Sequence, residues 1–254
     1  MKKIKVKDNL YQYHFTDSNS DYSNSITILI EGKEALFFDT AYKRHSEKVL
    51  SELHHKGVDN FTVLLSHHHE DHFGGITCFD NSCIYGADNF GDDQQDHLDD
   101  EYLINFRPAN HFSDWEPLEI AGHKIHPIYT PGHNKCHYSF LIDNQIVYAG
   151  DLIYYNKANK PCIPYIDENS WIHQHIESLV KIKRLGPKIL IVGHGYHIEG
   201  AEKISDEIDD RLFYLEKLYE SCGRSKLEDS LKMDISKYGG LNFHEMNLKR
   251  IQSG

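Results

Sequence analysis

The 254-residue chain has no Cys-x-x-Cys pair; its five cysteines, Cys78, Cys83, Cys136, Cys162 and Cys222, are scattered and odd in number. That pattern fits neither a zinc ribbon nor a disulfide framework, so they read as reduced thiols, mostly packing residues. No uncharged stretch reaches membrane-spanning length, and the amino end, Met1-Lys2-Lys3-Ile4-Lys5-Val6-Lys7-Asp8, has charge but no following apolar run of signal-peptide type. A soluble cytoplasmic protein is the expectation. A Lys/Arg block is also missing, and 27 basic against 39 acidic residues give a formal net charge of -12. Broad attachment to nucleic acid or an anionic membrane needs several phosphate-neutralising cations, so neither partner is expected. No repeat, low-complexity linker or Pro/Gly-rich boundary divides the chain. One domain over 1–254 follows, with a core at about 25–222 and a carboxyl-terminal extension at 223–254. Oligomeric state leaves no mark.

Histidine is abundant instead, at 19 residues, so each candidate ligand must be judged by its setting. Ser25 to Ile30 and Ala35 to Asp39 read as a hairpin across Glu31-Gly32-Lys33-Glu34. Arg44 to Lys56 follows as a helix with Val49, Leu50 and Leu53 on one face and Gly57 ending it. Phe61 to Leu65 is a short buried strand running into Ser66-His67-His68-His69-Glu70-Asp71-His72-Phe73-Gly74-Gly75. The arrangement recurs: Ile125 to Tyr129 precedes Thr130-Pro131-Gly132-His133, Ile146 to Ala149 precedes Gly150-Asp151, and Lys188 to Val192 precedes Gly193-His194. Rigid strands aim side chains while their loops open a site, so such strand ends are where binding groups converge. Helices are expected over Trp171 to Leu185, with Ile172, Ile176, Leu179 and Val180 inward, and over Lys203 to Ser221, with Ile204, Ile208, Leu212, Leu215 and Tyr219 on one face. The acidic stretch Asp92 to Glu101 reads as a solvated helix or turn, or as a loop beside the site that selects a cationic substrate.

His67-x-His69-x-Asp71-His72 packs four ligand types into six residues, more than one tetrahedral ion takes comfortably from so short a segment. In a tight turn their side chains fan apart, so His67 and His69 can serve one ion and Asp71 and His72 its neighbour. Imidazole and carboxylate donors suit zinc, and also iron or manganese. The remaining histidines, among them His45, His54, His55, His68, His97, His173, His175 and His244, read as exposed or hydrogen-bonded residues, and Ser66 as a turn residue.

The ordered set of HxHxDH, Thr-Pro-Gly-His, Gly150-Asp151 and Gly193-His194 resembles the signature of the metallo-β-lactamase superfamily over roughly Ser25 to Gly200. The resemblance implies a four-layer αββα sandwich of the α/β class. It gives His67, His69 and His133 to one metal, Asp71, His72 and His194 to a second, and Asp151 to the bridge between them. The implied activity is that of a dinuclear metal-dependent hydrolase, most readily with two zinc ions, attacking an ester-like bond of a small molecule with a metal-bridging hydroxide. Asp71 would steer or accept a proton. Tyr154 resembles the tyrosine that acyl-homoserine-lactone lactonases set beside their metals, where it would donate a hydrogen bond to substrate. The bridging Asp151 and the missing leader favour thioesterases, lactonases or small phosphodiesterases, although Gly193 to His197 carries no clear match to the glutathione-binding residues of glyoxalase II. The competing readings are a mono-iron sulfur dioxygenase and a metal-binding regulator without catalysis; a flavin-linked oxygen reductase is disfavoured by His69. Phe73, Trp115, Tyr165 and Tyr196 are further candidates for a pocket lining, each more often a packing residue.

Overall fold

A computed structural model describes residues 1–92, 98 and 100–253. Most of the acidic stretch therefore lies outside the described residues, as does His97; of its flank, the Asp100 carboxylate accepts from the amides of Tyr102 and Leu103 and caps a short helix.

Two sheets form the centre. The first has strands in the order β1 (Lys2–Lys7), β2 (Leu10–Thr16), β3 (Ser23–Glu31), β4 (Glu34–Phe38), β5 (Asn60–Leu64), β6 (Ile84–Gly86) and β7 (Asn110–His111). It is antiparallel through β4 and parallel from β4 onward, the change being made by the crossover helix α1 (Lys43–His55). The second contains β8 (Leu118–Ile120), β9 (His123–Tyr129), β10 (Tyr138–Ile142), β11 (Ile146–Tyr148), β12 (Ile189–Ile191) and β13 (Ile198–Glu199), ordered β13-β12-β11-β10-β9-β8. The short helices α2 (Glu70–Phe73) and α3 (Glu101–Asn105) lie in the first half of the chain, and α4 (Ile172–Leu185), α5 (Ala201–Glu220) and α6 (Phe243–Ser253) in the second.

Side-chain alternation along the second sheet builds the layers. Successive strand residues face opposite sides. Accordingly Phe140, Ile142, Ile146, Tyr148 and Ile191 join the cluster shared with the first sheet and α1, while Leu141, Val147, Leu190 and Val192 join the cluster under α4 and α5. Val49 and Leu53 of α1 are fully buried against the first sheet, and each such side chain contributes about 1.5–3 kcal/mol by leaving water. The result is the αββα sandwich expected from the resemblance.

The structure adds elements beyond those the sequence pattern marks: β1 and β2 at the amino end, and α6 at the other. On α5 it is Leu218 that is buried, whereas Tyr219 projects outward at 56% exposure, because the last turn swings that position off the packed face. The segment after 222 is no loose extension. The Asn247 side chain accepts from the Ile166 amide at 3.1 Å and donates to the Pro164 carbonyl at 2.7 Å. No helix among the described residues is long and apolar enough to cross a membrane.

Candidate metal centre

Strand direction brings the motifs together. β9 and β11 both run antiparallel to β10, and β12 runs parallel to β11, so the three carboxyl ends meet at one edge of the second sheet. They deliver His133, Asp151 and His194; β5 delivers His67 from the first sheet, and α2, starting at Glu70, turns Asp71 and His72 back toward it. Gly132 permits this. At φ +134°, a Cβ there would lie 2.3 Å from the Cα of His175 in α4, so only glycine lets the loop carrying His133 lie against that helix.

All seven expected residues converge. His69 Nδ1 lies 2.9 Å from His67 Nε2 and 3.1 Å from His133 Nε2. His194 Nε2 lies 3.3 Å from His72 Nε2 and 3.2 Å from Asp71 Oδ2. Asp151 stands between the two groups: Oδ1 is 3.3 Å from His72 Nε2, and Oδ2 is 3.2 Å from His194 Nε2 and 3.7 Å from His133 Nε2. Each triad keeps its donor atoms within 4.8 Å of one another.

The donor set fits a pair of divalent ions. Two imidazole nitrogens on a tetrahedral ion at about 2.0–2.1 Å stand a little over 3 Å apart, close to the spacings found. The opposite ring nitrogens are fixed from outside. His67 Nδ1 donates to Ser66 Oγ at 2.9 Å, His72 Nδ1 to Asp39 Oδ2 at 2.7 Å, and His194 Nδ1 to the Ser23 carbonyl at 2.8 Å, while His69 Nε2 faces Asp167 Oδ2 at 3.5 Å. Such bonds hold the inward nitrogens on target and make them better donors. Asp151 Oδ1 is buried without a hydrogen-bond partner, an arrangement that is costly unless a cation fills the space before it. Asp39 also lies within reach of His67 and His72, but its carboxylate already accepts from the Ser66 amide, the Ser66 hydroxyl, His72 and the Tyr148 hydroxyl. It orients ligands.

The electrostatics divide the site. Burial disfavours charge on His72 and His194, yet the carboxylates, Asp151 foremost, outweigh it, holding His72 well above the usual imidazole range and His194 up to about 10. His67 and His133, buried among other imidazoles, are pushed well below that range. The part-buried Asp71 and the buried Asp151 stay ionised because of the neighbouring histidines, chiefly His72 for Asp71 and His194 for Asp151.

Several residues that shape the site are not among the expected ones. The sequence marks Asp39 only as part of the hairpin, and Ser66 is a link between Asp39 and His67, not merely a turn residue. His137 Nε2 accepts from the Asp151 amide at 3.2 Å. Tyr154 lines the cavity over the centre, but its hydroxyl donates to the Ile163 carbonyl at 3.0 Å. Tyr165 lines the cavity too, together with Tyr22, Tyr42 and Phe243. Phe73 is instead a core residue, and Trp115 and Tyr196 are exposed away from the cavity lining.

Comparison with known proteins gives the fold and the family. The chain is 30% identical over 142 residues to a hydroxyacylglutathione hydrolase of Prochlorococcus marinus, covering 52% of this chain and 51% of that protein. It is 27% identical over 190 residues to an atrochrysone carboxyl ACP thioesterase of Aspergillus fumigatus, covering 72% and 54%. The chain thus spans about half the length of these curated relatives. A metallo-beta-lactamase from Pontibacter korlensis superposes with a TM-score of 0.68 over 85% of this chain and 98% of that one at 13% identity, and a metallo-beta-lactamase family protein from Thermus thermophilus with 0.64 over 84% and 81% at 20%. The family profile described as metallo-beta-lactamase superfamily matches residues 20–194, which include every motif above, and the chain belongs to that superfamily.

Proposed function

We propose that the protein is a metal-dependent hydrolase of an ester-like bond, a lactone or thioester, in a small molecule. His67, His69 and His133 would hold one divalent ion, Asp71, His72 and His194 a second, and Asp151 both. Zinc is the ion we propose, with iron or manganese accepted by the same donors. One observation carries the reading: two complete donor triads flank a single buried carboxylate. The names of the two curated relatives, a hydrolase and a thioesterase, support the bond class.

When bound, such a pair of ions lowers the pKa of water toward neutrality and stabilises negative charge developing on the oxygen of the bond under attack. The chain's own residues do the rest. Asp71 lines the cavity with its carboxylate ionised, so that it can take a proton from the attacking water and return it to the leaving group. Asp151, fixed through its amide by His137, keeps the two triads at constant separation. Tyr154 offers its ring to the cavity, and its hydroxyl reaches substrate only by releasing the Ile163 carbonyl. We further propose that residues 223–254 belong to the same domain, since Phe243 lines the cavity, and that the protein works in the cytosol, where its five free cysteines stay reduced.

The test combines metal analysis of the purified protein with a screen of lactones, thioesters and phosphodiesters, repeated on Asp71→Ala and Asp151→Ala. Two equivalents of metal, and activity lost in both variants, are expected. Full activity in both removes the proposal; one iron per chain with oxygen uptake selects a dioxygenase in its place, and cleavage confined to phosphodiesters changes the bond class.

A further inference from the structure

The cavity above the two triads encloses about 400 Å³ and is walled by rings. Tyr22, Tyr42, Tyr154, Tyr165 and Phe243 line it, and Glu70 adds a carboxylate. No lysine or arginine is among the described residues that line it. Four of these rings, all but Tyr42, form one connected surface. Phe243 packs against Tyr165 at 5.1 Å between centroids and against Tyr22 and Tyr154 at 6.4 Å each. The surface reaches the donor residues, with Tyr165 at 5.6 Å from His133 and Tyr22 at 5.8 Å from His194. Burial keeps the phenols of Tyr42 and Tyr165 neutral, at about 12 each. Arg250, which acts on Tyr165, belongs to the lining of a different cavity and is held by Glu168 at 2.6 Å.

Such a wall discriminates by chemistry. A flat uncharged group gains ring contact and loses little hydration on entering. A carboxylate on the rings loses its water and finds Glu70 against it, while the guanidiniums beside the wall, Arg44 over the Tyr42 ring and Arg250 at Tyr165, are already bound to Asp17 and Glu168. The substrate's carbonyl can lie over the donor residues while its remaining part lies on the rings, because wall and donors share one cavity.

We infer that the protein selects substrates whose acyl side is an uncharged aromatic group and discriminates against acyl groups that end in a carboxylate. This rests on the hydrolase reading and names its substrate class. In the reaction the acyl–sulfur bond breaks, the water oxygen joins the acyl carbon, and the thiol leaves with a proton.

The test uses the full chain loaded with zinc and three thioesters of one neutral thiol, N-acetylcysteamine, carrying phenylacetyl, acetyl or succinyl groups. Thiol release is measured for the parent and for Phe243→Leu, which keeps an apolar side chain in α6 while removing the ring. The phenylacetyl thioester should exceed the succinyl one by about tenfold or more in kcat/KM, and the phenylacetyl-to-acetyl ratio should fall about fivefold in the variant. Binding of benzamide and of benzenesulfonate, one ring with a neutral or an anionic substituent, is followed in parallel by ligand-observed NMR. Benzamide should bind more tightly, and less so to Phe243→Leu. Cleavage of the succinyl thioester as fast as the phenylacetyl one overturns the inference and leaves the hydrolase reading standing. So does binding in which benzamide has no advantage, including no binding at all. If no thioester is cleaved but benzamide keeps its advantage and its dependence on Phe243, the thioester form of the hydrolase reading fails and the selectivity of the wall stands.

Discussion

Asp39 is the residue whose replacement tests the architecture of the centre most directly, because it touches no expected ligand position except through the tautomer of His72, which it sets. Its carboxylate accepts four hydrogen bonds: Oδ1 from the Ser66 amide at 2.7 Å, and Oδ2 from the Ser66 hydroxyl at 2.6 Å, His72 Nδ1 at 2.7 Å and the Tyr148 hydroxyl at 2.7 Å. In Asp39→Asn an amide NH2 takes the place of Oδ2. The two hydroxyls can rotate to accept from it, but His72 can accept at Nδ1 only by moving its proton to Nε2, the nitrogen that faces Asp151 and His194. Metal affinity should therefore fall about 10–100-fold. Stability should fall by about 1.5–3 kcal/mol, the value of one bond to a charged acceptor. Asn also tolerates the left-handed backbone at this position, φ +60°, so the change is confined to the side chain. Asp39→Ala leaves the Ser66 amide and hydroxyl, His72 Nδ1 and the Tyr148 hydroxyl without acceptors, at about 1–3 kcal/mol each, and should cost about 5 kcal/mol or more. Urea denaturation in the presence of chelator reads the stability, and competition with a chromophoric chelator reads the affinity. An Asn variant that binds two equivalents of metal as tightly as the parent would refute the reasoning.

Other perturbations address different parts of the molecule. Gly193 has an ordinary backbone, but a Cβ there would lie 2.3 Å from Asp151 Oδ1 and 2.6 Å from His72 Cε1; Gly193→Ala should keep its fold at a cost of about 1–3 kcal/mol and lose one or both metals, as circular dichroism beside metal analysis would reveal. Because His72 is held well above the usual imidazole range and His194 at about 10, metal uptake at about pH 7.5 should release about two protons per chain. Calorimetry in buffers of different ionisation heat measures that number, and a value near zero contradicts the electrostatics. His123 joins the two sheets by bonds to Asp143 at 2.6 Å and Glu31 at 3.2 Å; burial lowers its pKa, but these carboxylates, Asp143 foremost, raise it above 6.5. A raised histidine stabilises the fold below its unfolded pKa and ceases to as pH rises through the folded one, whereas Glu31, held below 4.5, contributes only above its own range. The stability difference between the parent and His123→Gln should thus be largest near about pH 5.5 and shrink toward about pH 9. A difference that grows with pH reverses the assignment.

The seven residues proposed as ligands could be picked out because their motifs each follow an apolar strand, and strand direction then fixes where each motif ends up. The residues that orient them could not. Asp39 is 27 positions from Ser66 and 109 from Tyr148, and no local pattern announces either pairing. His137 stood among 19 histidines with nothing near it to mark it as the acceptor of the Asp151 amide. At the amino end, Lys3, Ile4, Lys5 and Val6 do alternate as a strand should, yet the density of lysine draws attention to charge before period. In the folded chain Lys3 lies by Glu52 of α1 at 3.0 Å, so the charge is part of how this edge strand is held.

Donors and wall are encoded in different ways, and that difference decides which part of the function a sequence can reveal. The seven donors come from four strand ends whose spacing is constrained by the sandwich itself. The wall comes from Tyr22 before β3, Tyr42 before α1, Tyr154 and Tyr165 in the long connection after β11, and Phe243 at the start of α6. None of these positions is required by the ligand geometry. Phe243 is brought in because Asn247, one turn on, is tied to Pro164 and Ile166 beside Tyr165. A substitution in α6 can therefore alter what the cavity accepts while every donor stays in register, and one centre can serve many substrates. This is why the proposed chemistry rests on the motifs, whereas the proposed selectivity rests on the carboxyl-terminal helix lying against the site.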